Sequence, residues 1–295
     1  MEKIQELISE RGIPYLHLTN IPKTDIFKTF DCGQCFRFDR VELYGNRYEF
    51  EGVAFGKHVV FGQNDPYELK IYGATVEDYN KIWREYLDFS SNYQEINETI
   101  ITNISSEHMK KAVLYGDGIR ILHQDPWECV CSFIISQNNN IPRIKKIIGA
   151  LCEKYGRKIL SDGKSYFDFP SAKALLEAGE EEIFALKTGF RAKYIIDASK
   201  RISTKEIDLE TIKNEENFDI CVDNLCKIKG VGLKVASCAL LFGFGKTEAF
   251  PIDVWMKRAL EKYFPAGIDL CALGKTAGIA QQYLFYYERY NTDEI

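Results

Sequence analysis

The sequence predicts an α+β protein, with an N-terminal antiparallel β-sheet domain packed on an α-helical domain. Two patterns carry this. Apolar and polar residues alternate over 35–38, 48–55, 59–61 and 69–72, separated by Gly and Asn-Asp-Pro turns, as half-buried strands do. From about Ile104 onward the apolar residues recur at helical spacing, with capping and breaking residues at helix-length intervals. The boundary is therefore set at 103/104, giving a sheet domain over 1–103 and a helical domain over 104–295.

Taken in order, Thr75-Val76-Glu77-Asp78 reads as a helix cap. Tyr79, Ile82, Trp83, Tyr86 and Leu87 then share one helical face, which should cover the sheet. Asp125-Pro126 opens a helix carrying Trp127, Val130, Cys131 and Ile134; Pro142 opens another that ends near Gly156; Ser171 caps a third. Phe218, Val222 and Leu225 suit one helix, and Val235, Ala236, Ala239, Leu240 and Phe242 suit a buried successor, so the chain must turn sharply over 228–233. Gly230 and Gly232 bracket Val231 in that turn, where backbone N–H groups can approach a phosphate.

With 295 residues, 45% hydrophobic and 13% aromatic, the chain can bury a sizeable core. No apolar run approaches the roughly 18 residues of a membrane span, and MEKIQELISERG lacks the apolar core of a secretory signal, so the expected location is the cytoplasm of a prokaryote, or the nucleus if the source is eukaryotic. Nine cysteines without an export signal suggest reduced thiols. Cys32-x-x-Cys35 has zinc-knuckle spacing but no second pair. The net charge of -5 counts against indiscriminate nucleic-acid binding, although Arg143-Ile144-Lys145-Lys146 and Arg191-Ala192-Lys193 can still line one face.

The segment 225–253, LCKIKGVGLKVASCALLFGFGKTEAFPID, adds a lysine and a carboxylate to the glycine turn. Lys234 sits just inside the second helix, where the helix dipole and partial burial favour the neutral, nucleophilic amine. Asp253 follows Pro251-Ile252 at a helix N-cap position. Cys238 lies one turn after Lys234, and Gln281 one turn before Phe285, so each pair shares a helical face.

Gly230-Val231-Gly232, Lys234 and Pro251-Ile252-Asp253 resemble the helix-hairpin-helix (about 218–245) and catalytic-aspartate loop of DNA glycosylases, and Lys234 marks the bifunctional branch. KVASC (234–238) and FPIDVWM (250–256) look most like the 8-oxoguanine DNA glycosylase/AP lyase family. Cys32-Gly33-Gln34-Cys35-Phe36-Arg37, Gln137-Asn138-Asn139-Asn140-Ile141-Pro142-Arg143, Gly189-Phe190-Arg191-Ala192-Lys193-Tyr194 and the Gln281/Phe285 helix resemble four further elements of that family, in order. The resemblance implies removal of 8-oxoguanine opposite cytosine through a Lys234 Schiff base assisted by Asp253, followed by β-elimination. It implies a base pocket of Gly33, Cys238, Gln281 and Phe285, with the Gly33 carbonyl accepting from the oxidised base's N7–H. It makes Phe190 a wedge and gives the orphaned cytosine to Asn138, Arg143 and Arg191. The implied partner is double-stranded DNA bearing oxidised guanine, bound by a monomer. Only Cys271 follows Asp253, so no iron–sulfur cluster is expected; a structural cation at the hairpin beside a DNA phosphate is compatible with the resemblance. Two departures stand out: Phe190 replaces a common Tyr, and Trp255 replaces a common His. A glycosylase for alkylated purines or oxidised pyrimidines, and a DNA-gripping protein without turnover, are the competing readings.

Overall fold

A computed structural model describes residues 2–291 of the chain. Among the described residues, six strands form one antiparallel sheet in the order β1-β2-β6-β5-β4-β3. These are β1 (Lys3–Ile8), β2 (Pro14–Thr19), β3 (Phe38–Arg40), β4 (Tyr48–Ala54), β5 (Lys57–Gln63) and β6 (Glu68–Tyr72). Pairing sets Leu16 against Ile71 and Phe50 against Phe61, which brings buried side chains of neighbouring strands together on the core face. Phe30 of α1 (Ile26–Asp31) packs into that face, its ring 5.1 Å from Phe50 and 5.3 Å from Phe61. The capped helical segment starting at Val76 runs through a π-helical turn, Tyr79–Trp83, and sets Trp83 edge-on to Phe61 at 5.5 Å.

The strand reading of 35–38 holds only at Phe38, and β1 and β2 carry no mark in that reading. Residues 32–37 form a turn shared by two cores: Cys35 is buried with the sheet, whereas Cys32 and Phe36 are buried with the helices. Strand β1 is an edge whose six side chains are mostly exposed, so burial imposes no alternation on it.

The helical body contains α2 (Tyr93–Asn103), α3 (Glu107–Gly116), α4 (Pro126–Ser136), α5 (Ile141–Tyr155), α6 (Ala172–Ile183), α7 (Ala192–Ser203), α8 (Phe218–Cys226), α9 (Leu233–Phe244), α10 (Val254–Tyr263) and α11 (Ala277–Tyr290), with shorter turns between them. Asp125, Asn140 and Ser171 cap α4, α5 and α6 through their side chains. Helix α2 lies before residue 104, yet its Tyr93 and Ile100 are buried in the helical core, while Leu122 is buried with the sheet. The chain thus crosses between the two bodies, and a single cut at 103/104 does not separate their cores. Periodicity identifies a buried face but not which core receives it.

A second hairpin, β7 (Lys158–Ser161) and β8 (Lys164–Phe167), turns at Asp162-Gly163 with φ of +48° and +69°. Such an Asp-Gly turn is a legible hairpin signal. It docks on the sheet: the Tyr166 ring stacks on His58 at 3.6 Å, and Ser161 Oγ lies 2.9 Å from His58 Nδ1. Arg37 also donates to the Phe167 carbonyl and pairs with Glu128 of α4 at 3.2 Å. Burial, opposed by Arg37, pushes the Glu128 carboxyl up to about 7. A carboxyl whose pKa is raised on folding binds more protons in the folded state, so its contribution to stability declines as pH rises from about 4.5 to about 7. Thermal unfolding across that window should show a steeper loss of stability with rising pH for the wild type than for Glu128→Gln; equal slopes would contradict the assignment.

Candidate active site

The turn between α8 and α9 brings together the residues singled out at 228–234. Gly230 has φ +79°, and a Cβ there would lie 2.4 Å from the Tyr194 ring, so only glycine fits. Gly230→Ala should therefore displace the hairpin from Tyr194 and lower both the melting temperature and DNA affinity. Retention of both would refute a packing requirement. Gly232 is extended and open, and a Cβ there would meet no atom within 4 Å. Val231 departs from the expected pattern: its N–H donates to the Ile228 carbonyl at 3.0 Å and its side chain is buried, so it plugs the turn instead of offering an amide. The outward amide groups are left to Gly232 and the first turn of α9, where helix geometry leaves N–H groups without intrahelical acceptors.

Lys234, half-buried in that first turn, has Nζ 5.6 Å from the centre of the Phe133 ring. Asp253 is the N-cap of α10: one carboxylate oxygen accepts from the Met256 N–H at 2.8 Å, and the other has no hydrogen bond among the described residues. Lys234 and Asp253 line one cavity of about 360 Å³ together with Gly33, Cys238, Gln281 and Phe285. Burial pushes the Cys238 thiol up, while the neighbouring Lys234 opposes this by charge and hydrogen bonding. Gln281 is only 5% exposed, and its Oε1 is buried without a hydrogen-bond partner. A buried orphan acceptor is costly unless a ligand or water satisfies it.

Gly33 faces the same cavity in a left-handed turn, φ +79°, and a Cβ there would point to Phe285 and Arg289, 3.7 Å from each. Gln34 of the segment matched in the sequence, and two residues of α11 that are not marked there, hold this turn. Gln34 donates to the Thr29 and Arg120 carbonyls at 2.8 Å and accepts from Leu122 N–H at 2.8 Å. From α11, Gln282 donates to the Cys32 carbonyl and Tyr290 to the Asp31 carbonyl, both at 2.9 Å. No local pattern marks these two, but Arg289 follows Gln281 and Phe285 on the same four-residue spacing and also lines the cavity.

A second cavity of about 760 Å³ shares Ser136, Asn139, Lys234, Asp253 and Trp255 with the first and adds Asn138, Gly232 and Lys257. Asn138 is exposed at φ +47°. Phe190 is 45% exposed, presented by a turn in which Lys187 and Gly189 have φ of +64° and +60°. Arg143 is exposed and donates to the Lys187 carbonyl at 3.2 Å, whereas Lys145 is drawn to Asp39 at 2.7 Å and so ties α5 to the sheet. Arg191 has partners that the sequence does not mark. It is buried, donates to the carbonyls of Gln137, Asn138 and Thr188, and lies 4.5 Å from the Phe190 ring centre. This arrangement braces the Asn138 and Phe190 loops. Trp255 stands half-exposed on the wall between the cavities, with Arg258 5.8 Å from its ring centre.

Among the described residues, no group of three or more His, Cys, Asp or Glu is placed to hold a metal ion, and no helix is long and apolar enough to cross a membrane.

Comparison with known proteins places two family matches end to end. Residues 18–130 match the 8-oxoguanine DNA glycosylase N-terminal domain, and residues 131–269 match the HhH-GPD superfamily of base excision DNA repair proteins. The N-glycosylase/DNA lyase of Saccharomyces cerevisiae is 35% identical over 51% of this chain and 43% of its own length. That of Arabidopsis thaliana is 33% identical over 81% of this chain and 69% of its own length. The chain thus spans under half of the yeast relative and about two thirds of the plant one. A crystal structure of the Clostridium acetobutylicum 8-oxoguanine glycosylase/lyase, bound to double-stranded DNA containing cytosine opposite 8-oxoguanine, superposes with a TM-score of 0.87 at 38% identity, covering 98% of both chains.

Proposed function

Given that this chain belongs to the 8-oxoguanine DNA glycosylases, the N-glycosylase/DNA lyases of base excision repair, we propose that it removes 8-oxoguanine opposite cytosine through a Lys234 Schiff base. The observation that carries the reading is the common cavity of Lys234, Asp253 and Gln281, whose buried orphan oxygen awaits a donor.

The damaged nucleotide leaves the stack and enters the cavity, where its new contacts must offset the cost of unstacking. Cys238 and Phe285 cover the two base faces, and Gln281 meets the Watson–Crick edge. The Gly33 carbonyl accepts from the lesion N7–H; unmodified guanine would put a lone pair there, at a cost of about 1 to 3 kcal/mol. Lys234, having given up a proton, attacks C1′ while the glycosidic electron pair leaves with the base, and Asp253 stabilises the cationic sugar. The bonded nitrogen then gives up its proton as the C1′–O4′ bond opens and O4′ takes a proton, which leaves an imine; this acidifies the C2′ hydrogen, and its removal expels the 3′ phosphate by β-elimination and cuts the strand. Phe190 fills the gap in the duplex, and Asn138 and Arg143 meet the orphaned cytosine, with Arg191 supporting both loops. Outward amides at Gly232 and the α9 start grip a phosphate, which suits a chain of net charge -5.

Incubation with a duplex bearing one 8-oxoguanine opposite cytosine, followed by borohydride, should give a covalent protein–DNA adduct. The same duplex with guanine should give none. Tight binding without an adduct or base release would overturn the proposal in favour of a DNA-gripping protein.

A further inference from the structure

We propose that Arg289 recognises the oxygen carried on C8 of the damaged purine and stabilises the charge that reaches this oxygen as the base departs; this rests on the reading of the cavity as a base pocket. Arg289 lines that cavity and is half-buried, yet no hydrogen bond or ion pair engages its guanidinium among the described residues. An arginine in this setting ordinarily finds a carboxylate or carbonyl. Its only described contacts are ring faces, with the guanidinium carbon 5.9 Å from the Phe285 ring centre and 5.2 Å from that of Tyr290.

Position indicates what it addresses. Gln281, Phe285 and Arg289 form one stripe along α11, each a turn from the next. If Gln281 meets the Watson–Crick edge and Phe285 covers the base, Arg289 stands beyond the ring at the opposite, five-membered end. Its Nη1 lies 3.7 Å from the point where a Gly33 Cβ would stand, beside the turn assigned to the N7 edge. The atom next to N7 at that end is C8. Unmodified guanine carries only hydrogen there, whereas 8-oxoguanine and the formyl group of ring-opened guanine both present a carbonyl oxygen.

The contact acts in two ways. It adds a charge-assisted hydrogen bond that only C8-oxygenated purines can accept, complementing the Gly33 carbonyl. It also favours bond breaking: as Lys234 Nζ bonds to C1′, the C1′–N9 pair stays with the base and spreads over N9, C8 and O8. The guanidinium keeps all its protons and merely donates to the growing negative charge, an interaction stronger in the transition state than in the ground state.

The test uses full-length wild type, Arg289→Met and Arg289→Lys under single turnover. Base release is followed on duplexes containing 8-oxoguanine or ring-opened guanine, and borohydride trapping is followed on a preformed abasic site, which has no base. Arg289→Met should slow release of 8-oxoguanine by about 10²-fold, as removal of one oxyanion donor does, and weaken capture of ring-opened guanine, whose broken C8–N9 bond keeps the departing charge off the formyl oxygen, with abasic-site trapping unchanged and release partly restored in Arg289→Lys. Loss restricted to one lesion would identify that oxygen alone as the partner. Equal loss of release and abasic-site trapping, or weakened binding to every duplex with a shallower salt dependence, would make Arg289 a structural or phosphate contact and overturn the assignment. Unchanged release would also overturn it. A wild type that neither releases base nor is trapped would remove the base-pocket reading itself.

Discussion

Lys234→Gln should bind a duplex containing 8-oxoguanine yet form no borohydride adduct and cut the strand at least about 10³-fold more slowly. The substitution preserves an unbranched side chain in the first turn of α9, and glutamine is about as good a helix former as lysine, so the hairpin should retain its shape. It loses the amine whose Nζ shares the cavity with Asp253 and lies against Phe133. Affinity should stay within about tenfold, because the substitution removes a single positive charge. Removing the nearby cation also withdraws the influence that opposes the rise of the Cys238 thiol pKa, so Cys238 should become still less reactive toward thiol reagents. Gel analysis after borohydride, binding titration and thiol labelling test the three consequences together. An adduct at wild-type yield would exclude Lys234 as the nucleophile.

Asp253→Asn should lower single-turnover base release by about 10² to 10³-fold while leaving the melting temperature nearly unchanged. The two duties of Asp253 are separable by chemistry. Its Oδ1 accepts the Met256 N–H as an N-cap, which asparagine does about as well. Its charge, however, is what opposes the positive sugar, and an amide cannot supply it. Asp253→Ala loses both duties and should also cost about 1 kcal/mol of stability. Should Asn and Ala be equally stable, the cap is unimportant; should Asn turn over like wild type, the carboxylate takes no part in the chemistry.

The proposed catalytic pair, Lys234 and Asp253, stands out in the sequence because the features that mark it are local. A turn requiring glycine, a lysine one residue into the next helix and an aspartate at an N-cap are all written within 24 residues, 230–253. The central strands were legible because apolar residues recur at alternate positions of the sequence, Phe50 and Phe61 among them, although folding buries both faces of β4 and β5 at nearly every position. What escaped depends on remote partners. Arg191 reads as a basic residue beside an exposed Phe190, but its acceptors at Gln137 and Asn138 lie more than fifty positions away, and only folding shows that it is buried. Val231 looks like an amide donor until its N–H is seen to close on Ile228. Helix α2 lies in the stretch that the sequence reading gives to the sheet domain, yet its Tyr93 and Ile100 join the helical core, whose members extend as far along the chain as α11.

The bonds from Gln282 and Tyr290 to the Cys32 and Asp31 carbonyls span 250 and 259 positions. Translation order then matters. A nascent chain exposes Gly33 early and the Lys234–Asp253 pair well before α11, but it cannot close a discriminating pocket until Tyr290 has left the ribosome and docked. Chains interrupted after the hairpin would carry the nucleophile without the means to choose a base, and so should be inert toward intact DNA. On the proposed mechanism, selectivity is acquired only after the nucleophile and its carboxylate have already been made.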